Sequence, residues 1–255
     1  AFTGMLGADL TASLKVSRVD VRGPAAKAGI EEGDTLIVEG DLDRLLVADK
    51  ECELSVRSGD GETRSVRVTP VTRSALRQLK YTNVIAARKA RVKEMSEGRL
   101  AYHHIRMMME PEIKALKDAM EKEFPTAQAL VLDIRDGVGG MAHRPIIHML
   151  DSTAPERINK NPASVMRNRN GWTGPDRYAD GRTGGRITGK SWDRPVIMIQ
   201  NEISRSDKEI LPHTFRHAGV VYIVGMPTAG GVIGGNEMPI RGGARVSGKA
   251  GGVNL

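Results

Sequence analysis

The sequence predicts an α+β, β-rich unit followed by an α/β unit, with a basic helix between them. Three observations carry that prediction. Residues 1–72 hold short alternating apolar runs broken by Gly-rich turns. Residues 73–97 are rich in Lys, Arg and Ala with few helix breakers. From Gly98 onward, strand-length hydrophobic runs alternate with helical patterns, as in a sheet covered by helices.

Composition bounds the possibilities. A chain of 255 residues allows one large domain or two of ordinary size. With 40% hydrophobic and 27% charged residues it is globular rather than disordered. No apolar run approaches the roughly 20 residues that span a bilayer, so no membrane partner is expected. No signal peptide is visible, and the compartment is left open, with the cytoplasm expected ahead of the periplasm. The single cysteine, Cys52, excludes an internal disulfide and a cysteine-rich zinc site. The net charge of +7 gathers in Arg73, Arg77, Lys80, Arg88, Lys89, Arg91 and Lys93, and again between Arg167 and Arg186. Aromatics are only 4% and no base-stacking motif accompanies the charge, so solvated faces or acidic peptides suit it better than nucleic acid.

In the first unit, Gly4 to Ala8 reads as a Gly-flanked turn and Ser13 to Val21 alternates as a half-buried strand does. Gly23 to Ile30 reads as a turn, one short helix and a Gly stop. Glu32 to Val38 is a turn entering a strand. Cys52 to Arg57 and Thr63 to Val68, joined by Ser58-Gly59-Asp60-Gly61, form a hairpin. The basic stretch is helical from about Asn83.

In the second unit, Leu100 to Ile105 is a strand. Glu110 to Phe124 is a helix, with Pro111 in its first turn and Ile113, Leu116 and Met120 on one face. Ala129 to Arg135 is a buried strand, followed by the glycine loop Asp136-Gly137-Val138-Gly139-Gly140. Residues 152–193 are a polar insertion, read as flexible or as a lid or assembly surface. Pro195 to Gln200 is a strand, a helix runs from Ser206 to about His217, and Val220 to Val224 is a further strand. The tail from Gly225 is glycine-rich.

The chemistry centres on Asn201 to Pro212. Ser206, followed by Asp207 and Glu209, marks a helix start, and a serine there sits beside free backbone N–H groups. Read alone, it is an ordinary N-cap. Strand ends in α/β sheets carry sites, however, and three stretches end there: His104, Gly139-Gly140 and Ser206. A serine, a histidine to take its proton and a glycine loop to hold an oxyanion are what acyl transfer needs. His213 and His217 have helical ligand spacing but lack the glutamate of a zinc-peptidase helix, and His143 and His148 have no recognisable ligand spacing. The glycines at 230–235 lack the strand-to-helix setting and the Lys-Ser/Thr of a phosphate loop, so nucleotide binding is not expected, and with no ligand set apparent no metal or other cofactor is expected either.

Two resemblances sharpen this reading. Pro24-Ala25-Ala26-Lys27-Ala28-Gly29-Ile30-Glu31-Glu32-Gly33-Asp34 resembles a PDZ domain, which implies that residues 1–72 accept a peptide C-terminus by strand addition. The carboxylate loop would be Met5, Leu6, Gly7 and Ala8; the alternative is a spacer that binds no peptide. Gly98 to Ile105, Leu132-Asp133-Ile134-Arg135 with its glycine loop, Asn201-Glu202 through Ser206-Asp207, and Gly225 to Gly231 resemble the catalytic domain of tricorn-type serine peptidases of family S41. That implies a crotonase/ClpP-like αβα domain over 98–255, with 73–97 as a linker helix.

The resemblance matches Ser206 to the nucleophile, His104 to the base, and the amides of Asp207 and Gly139 to the oxyanion hole, with Gly140 beside them. Relatives with a Ser–Lys dyad carry a lysine where this chain reads Thr228-Ala229-Gly230-Gly231, so the histidine-based type fits better. Two positions depart. His103 stands where the family has a serine. The orienting glutamate is expected past Gly252-Val253, where the sequence stops, leaving Glu237 as a substitute. The chain reads as a piece of a longer enzyme truncated at its C-terminus. The expected function is serine endopeptidase action on peptides or unfolded segments, in a homo-oligomer. The alternative is an inactive fragment or pseudo-peptidase that binds peptides or assembles.

Overall fold

The computed structural model describes residues 4–150, 167–168, 192–219, 221–231, 233–239 and 245–254. Contacts divide the chain into two units, 1–88 and 89–255.

The first unit holds two small antiparallel sheets. Strands β1 (Ala8–Leu10) and β2 (Val16–Val19) form one. Strands β3 (Thr35–Ile37), β4 (Cys52–Arg57) and β5 (Thr63–Val68) form the other, in that order. Alternation sends Leu54, Val56, Val66 and Val68 into a core shared with Leu6, Val16, Ala25, Ile30 and Leu36. The hairpin closes with Gly61 at φ +92°, in the left-handed region that glycine occupies without penalty. Helix α1 (Pro24–Lys27) starts on its proline as expected.

Three features differ from the sequence reading. Ala8 opens a strand, and Met5 pairs with Val71, so the Gly4–Ala8 turn is partly sheet. A short helix, α2 (Leu42–Leu45), is capped by Asp41, which accepts from Asp43 N–H at 2.9 Å; four residues are too few to show a period. Helix α3 (Arg73–Met95) begins at Arg73 rather than near Asn83, because Thr72 Oγ1 accepts from Ala75 N–H and no breaker follows. No residue of α3 is fully buried, which suits its charge.

The second unit is built on a parallel sheet. Strands β6 (Leu100–His104), β7 (Ala129–Asp133), β9 (Val196–Gln200) and β10 (Val221–Gly225) lie in the order β10-β9-β7-β6. Helices α4 (Glu110–Lys122), α5 (His143–Leu150) and α6 (Asp207–Ala218) connect or flank them. Every residue of β7 is buried, as a central parallel strand requires. Its Leu130 and Leu132 pack with Ile105, Leu116, Ile146, Met198 and Phe215 in one core.

The glycine-rich tail, for which the sequence suggested no element, pairs as β11 (Ile233–Pro239) and β12 (Arg245–Asn254). The expected insertion over 152–193 lies almost wholly outside the described residues. Within it, β8 (Arg167–Asn168) pairs with Asn254 and Val253. Among the described residues no helix is long and apolar enough to cross a membrane.

Candidate active site

Because β6, β7, β9 and β10 are parallel and adjacent, their C-terminal ends share one sheet edge, and the loops that follow meet there. The loop after β9 is stitched to the loop after β7. Asn201 Nδ2 donates to Asp136 Oδ1 at 2.8 Å, and Ser204 Oγ donates to the Ile134 carbonyl at 3.1 Å. That fixes where the chain turns into α6.

Ser206 is the N-cap of α6 and sits at φ +56°, ψ −119°, a conformation rare for a residue with a Cβ. Glu209 anchors it. Its Oε2 accepts from Ser206 N–H at 2.8 Å and Gly231 N–H at 2.9 Å, and its Oε1 from Gly230 N–H at 2.7 Å. The carboxylate thus ties the Ser206 turn to the segment in which Ser–Lys relatives are expected to carry lysine.

The glycine loop comes against the same turn. A Cβ on Gly139 would lie 2.5 Å from Asp207 N and 2.6 Å from Ser206 Cβ. Only glycine lets the two backbones approach so closely. Gly140, at φ +156°, bridges to Met108, and its Cβ would meet the Met108 carbonyl at 2.0 Å. Asp207 is itself locked from behind. Its Oδ2 accepts from Ala142 N–H at 2.7 Å and His143 N–H at 3.0 Å, while Oδ1 bonds the His143 ring Nδ1. The side chain of Asp207 therefore caps α5, and its own amide faces Gly139.

His104 ends β6 in register with Asp133 and is buried. Its Nε2 lies 3.0 Å from the Arg135 carbonyl. A carbonyl only accepts, so Nε2 carries the proton and Nδ1 is the basic nitrogen. Beside it, Tyr102 OH donates to Asp133 Oδ2 at 2.7 Å, and Arg135 donates from its backbone N–H, Nε and Nη2 to the same carboxylate. Burial pushes the Asp133 carboxyl up. The Arg135 guanidinium, the Tyr102 hydroxyl and the Arg135 N–H outweigh it and hold the group below the usual carboxylate range.

Alternation along β6 turns His103 to the other face, where it meets Phe124 edge-on with ring centroids 6.5 Å apart. Burial, then the neighbouring His104, lower its pKa to about 4. Glu237 pairs with Ser247 in β11–β12; its side chain lies outside those described. Met5 to Ala8 belong to the other unit. There Gly7 takes φ +71°, and the Leu6 and Gly7 carbonyls accept from Ala25 and Asp20. Among the described residues no group of three or more His, Cys, Asp or Glu could hold a metal ion.

The structure thus brings Ser206, Asp207, Gly139 and Gly140 together and sets His104 at the end of β6, two strands from β9 on the same sheet edge. Sequence reasoning missed Glu209, His143 and Lys208. Glu209 had a local signal, the Ser-x-x-Glu spacing of a capping box. The bond between His143 and Asp207 joins positions far apart in the chain and had none.

A parallel sheet with a serine at a strand–loop–helix turn and a glycine loop beside it is an arrangement that acyl transfer can use. The model of peptidase family S41 matches residues 99–251, and the chain belongs to that family. It is 31% identical over 259 residues to tricorn protease homolog 1 of Streptomyces coelicolor, covering 91% of this chain and 22% of that protein. A crystal structure of the tricorn protease superposes with a TM-score of 0.59 at 21% identity, covering 96% of this chain and 24% of the other. That likeness is one of fold: small antiparallel sheets followed by a parallel α/β sheet. The chain spans about a quarter of the length of these relatives.

Proposed function

We propose that the second unit carries a serine peptidase centre. Ser206 Oγ attacks the scissile carbonyl, His104 Nδ1 takes its proton, and the N–H groups of Asp207 and Gly139 hold the oxyanion. One observation carries the reading: the Gly139 backbone lies against the Ser206–Asp207 peptide, at a distance only a glycine permits. Two amides from different loops can then serve one oxygen. The proton would pass back from His104 to the leaving amine, and water would release the acyl group by the same route.

The substrate class is peptide or unfolded protein, in keeping with the family. In the first unit, the Met5–Ala8 loop is proposed to receive a peptide carboxylate. Among the described residues the Leu6 and Gly7 N–H groups make no hydrogen bond, and Ala8 continues into a short strand. A fluorophosphonate reagent tests the centre. Ser206 is expected to be the labelled residue, and Ser206→Ala is expected to lose both labelling and peptide hydrolysis. Hydrolysis by a folded Ser206→Ala variant at the parent rate would dismiss the assignment.

A further inference from the structure

Lys208 has no exposed surface. It lies two residues beyond Ser206, in the first turn of α6, where the helix dipole opposes a cation and burial penalises its charge. Starting a helix requires no such residue. Its Nζ donates to the Ile105 carbonyl and lies 3.5 Å from the Arg135 carbonyl. The Arg135 carbonyl is the acceptor that holds His104 Nε2, and Ile105 is the residue that follows His104. Room for the ammonium is reserved by Gly137, whose Cβ would lie 2.2 Å from Nζ and 2.3 Å from the Arg106 carbonyl. The end of β6, the loop after β7 and the start of α6 thus converge on one nitrogen.

We propose that Lys208 is a positioning residue for His104: it pins the Ile105 and Arg135 carbonyls and so holds the imidazole in the tautomer with Nε2 protonated and Nδ1 basic. The inference rests on the Ser206–His104 centre proposed above, but the His104 tautomer can be read without activity. Burial lowers Lys208 to about 8, against the opposing pull of Asp133, Glu112 and Asp136. The charged groups that act on it are Glu112 on α4, Asp133 on β7 and Asp136 in the loop beyond, and the Arg135 carbonyl lies against it. Below that pH the ammonium offers three N–H donors to the carbonyls. Above it the neutral amine is a weaker donor, and the grip on the Arg135 carbonyl relaxes.

The test uses the chain labelled with 15N-histidine, with His104 assigned by a His104→Gln variant. Parent and Lys208→Met proteins are followed by NMR from about pH 6.5 to about pH 9.5, spanning the lowered lysine. The parent is expected to show the Nε2-protonated tautomer, with a step in the His104 shifts near the Lys208 value. Lys208→Met is expected to lose the step and mix tautomers. Its fluorophosphonate labelling at neutral pH is expected to fall on the order of 100-fold, the effect of a misplaced catalytic group. An unchanged tautomer in Lys208→Met, or no step in the parent, overturns the proposal. If Lys208→Met does not fold, the parent titration decides alone. If the parent shows tautomer and step but Ser206 is never labelled, the peptidase reading fails and the hold of Lys208 on His104 stands.

Discussion

Replacing Gly139 with alanine tests the site with a single methyl group. Gly139 is not among the residues with positive φ, so alanine can adopt its backbone without conformational strain. The added Cβ would lie 2.5 Å from Asp207 N, 2.6 Å from Ser206 Cβ and 2.9 Å from the Arg205 carbonyl, where ordinary contact begins at 3.4 Å. None of these atoms is the end of a flexible side chain. The loop or the Ser206 turn must therefore move by roughly 1 Å, and overpacking of that kind costs about 1–3 kcal/mol. Displacing a catalytic group by about 1 Å costs on the order of 100-fold in rate, similar to removing an oxyanion donor. The expected result is a folded protein with a slightly lower melting temperature. Its rate of fluorophosphonate labelling and its peptidase kcat/KM should fall by roughly 100-fold or more. Gly231→Ala is the matched control, because its Cβ would meet only Glu209 Oε2, at 3.7 Å. A Gly139→Ala protein that melts below the parent yet reacts within about threefold of it would refute the argument, since a contribution to the oxyanion is worth far more than that.

Three other outcomes follow from the same contacts. Glu209→Gln removes a carboxylate that accepts three backbone N–H bonds and places an amide donor among them. Stability should fall by about 1–3 kcal/mol in a thermal melt, with slower Ser206 labelling. Asp133→Asn breaks the buried network with Tyr102 and Arg135 and should cost about 3 kcal/mol at neutral pH. Because the folded Asp133 value is depressed, its contribution is present above the usual carboxylate pKa and is lost as pH falls through the folded one, so parent and variant should converge in acid. His103 is held neutral to about pH 4, whereas the unfolded chain binds its proton from about pH 6.5 downward. Stability should therefore decline between those values by up to about 3 kcal/mol, and His103→Phe should flatten that limb of the melting profile.

The elements of the second unit were legible because their periods are clean. The unbroken apolar run of β7 and the 3.6-residue face of α4 each admit one reading. The tail was not legible. Gly234, Gly235, Gly248, Gly251 and Gly252 supply no apolar alternation, and the pairing of β11 with β12 is set by partners in the chain rather than by local propensity. The candidate site was legible in its backbone parts and opaque in its side-chain supports. Ser206 and the glycine loop announce themselves through turn chemistry. Lys208 carries no signal beyond a charge in a helix's first turn, and His143 has no recognisable ligand spacing with His148. Their contacts lie on other strands' loops, and no local pattern encodes a bond across the sheet edge.

The backbone of Ser206 bears on the two readings that its sequence leaves open. An ordinary N-cap serine adopts the extended region, and its side chain accepts from the next turn. Ser206 instead stands at φ +56°, ψ −119°, in a capping box with Glu209. A conformation of this kind costs about 1–3 kcal/mol and persists only where the surroundings over-determine it. Four contacts do so here. Glu209 holds the Ser206 N–H, Ala142 and His143 hold the Asp207 carboxylate, Ser204 bonds the Ile134 carbonyl, and Ala229 N–H reaches the Ser204 carbonyl at 3.1 Å. A cap alone does not require that conformation, since extended backbone serves an N-cap without the strain. The cost is explained if the turn also has to hold Ser206 and the Asp207 amide against the Gly139 loop.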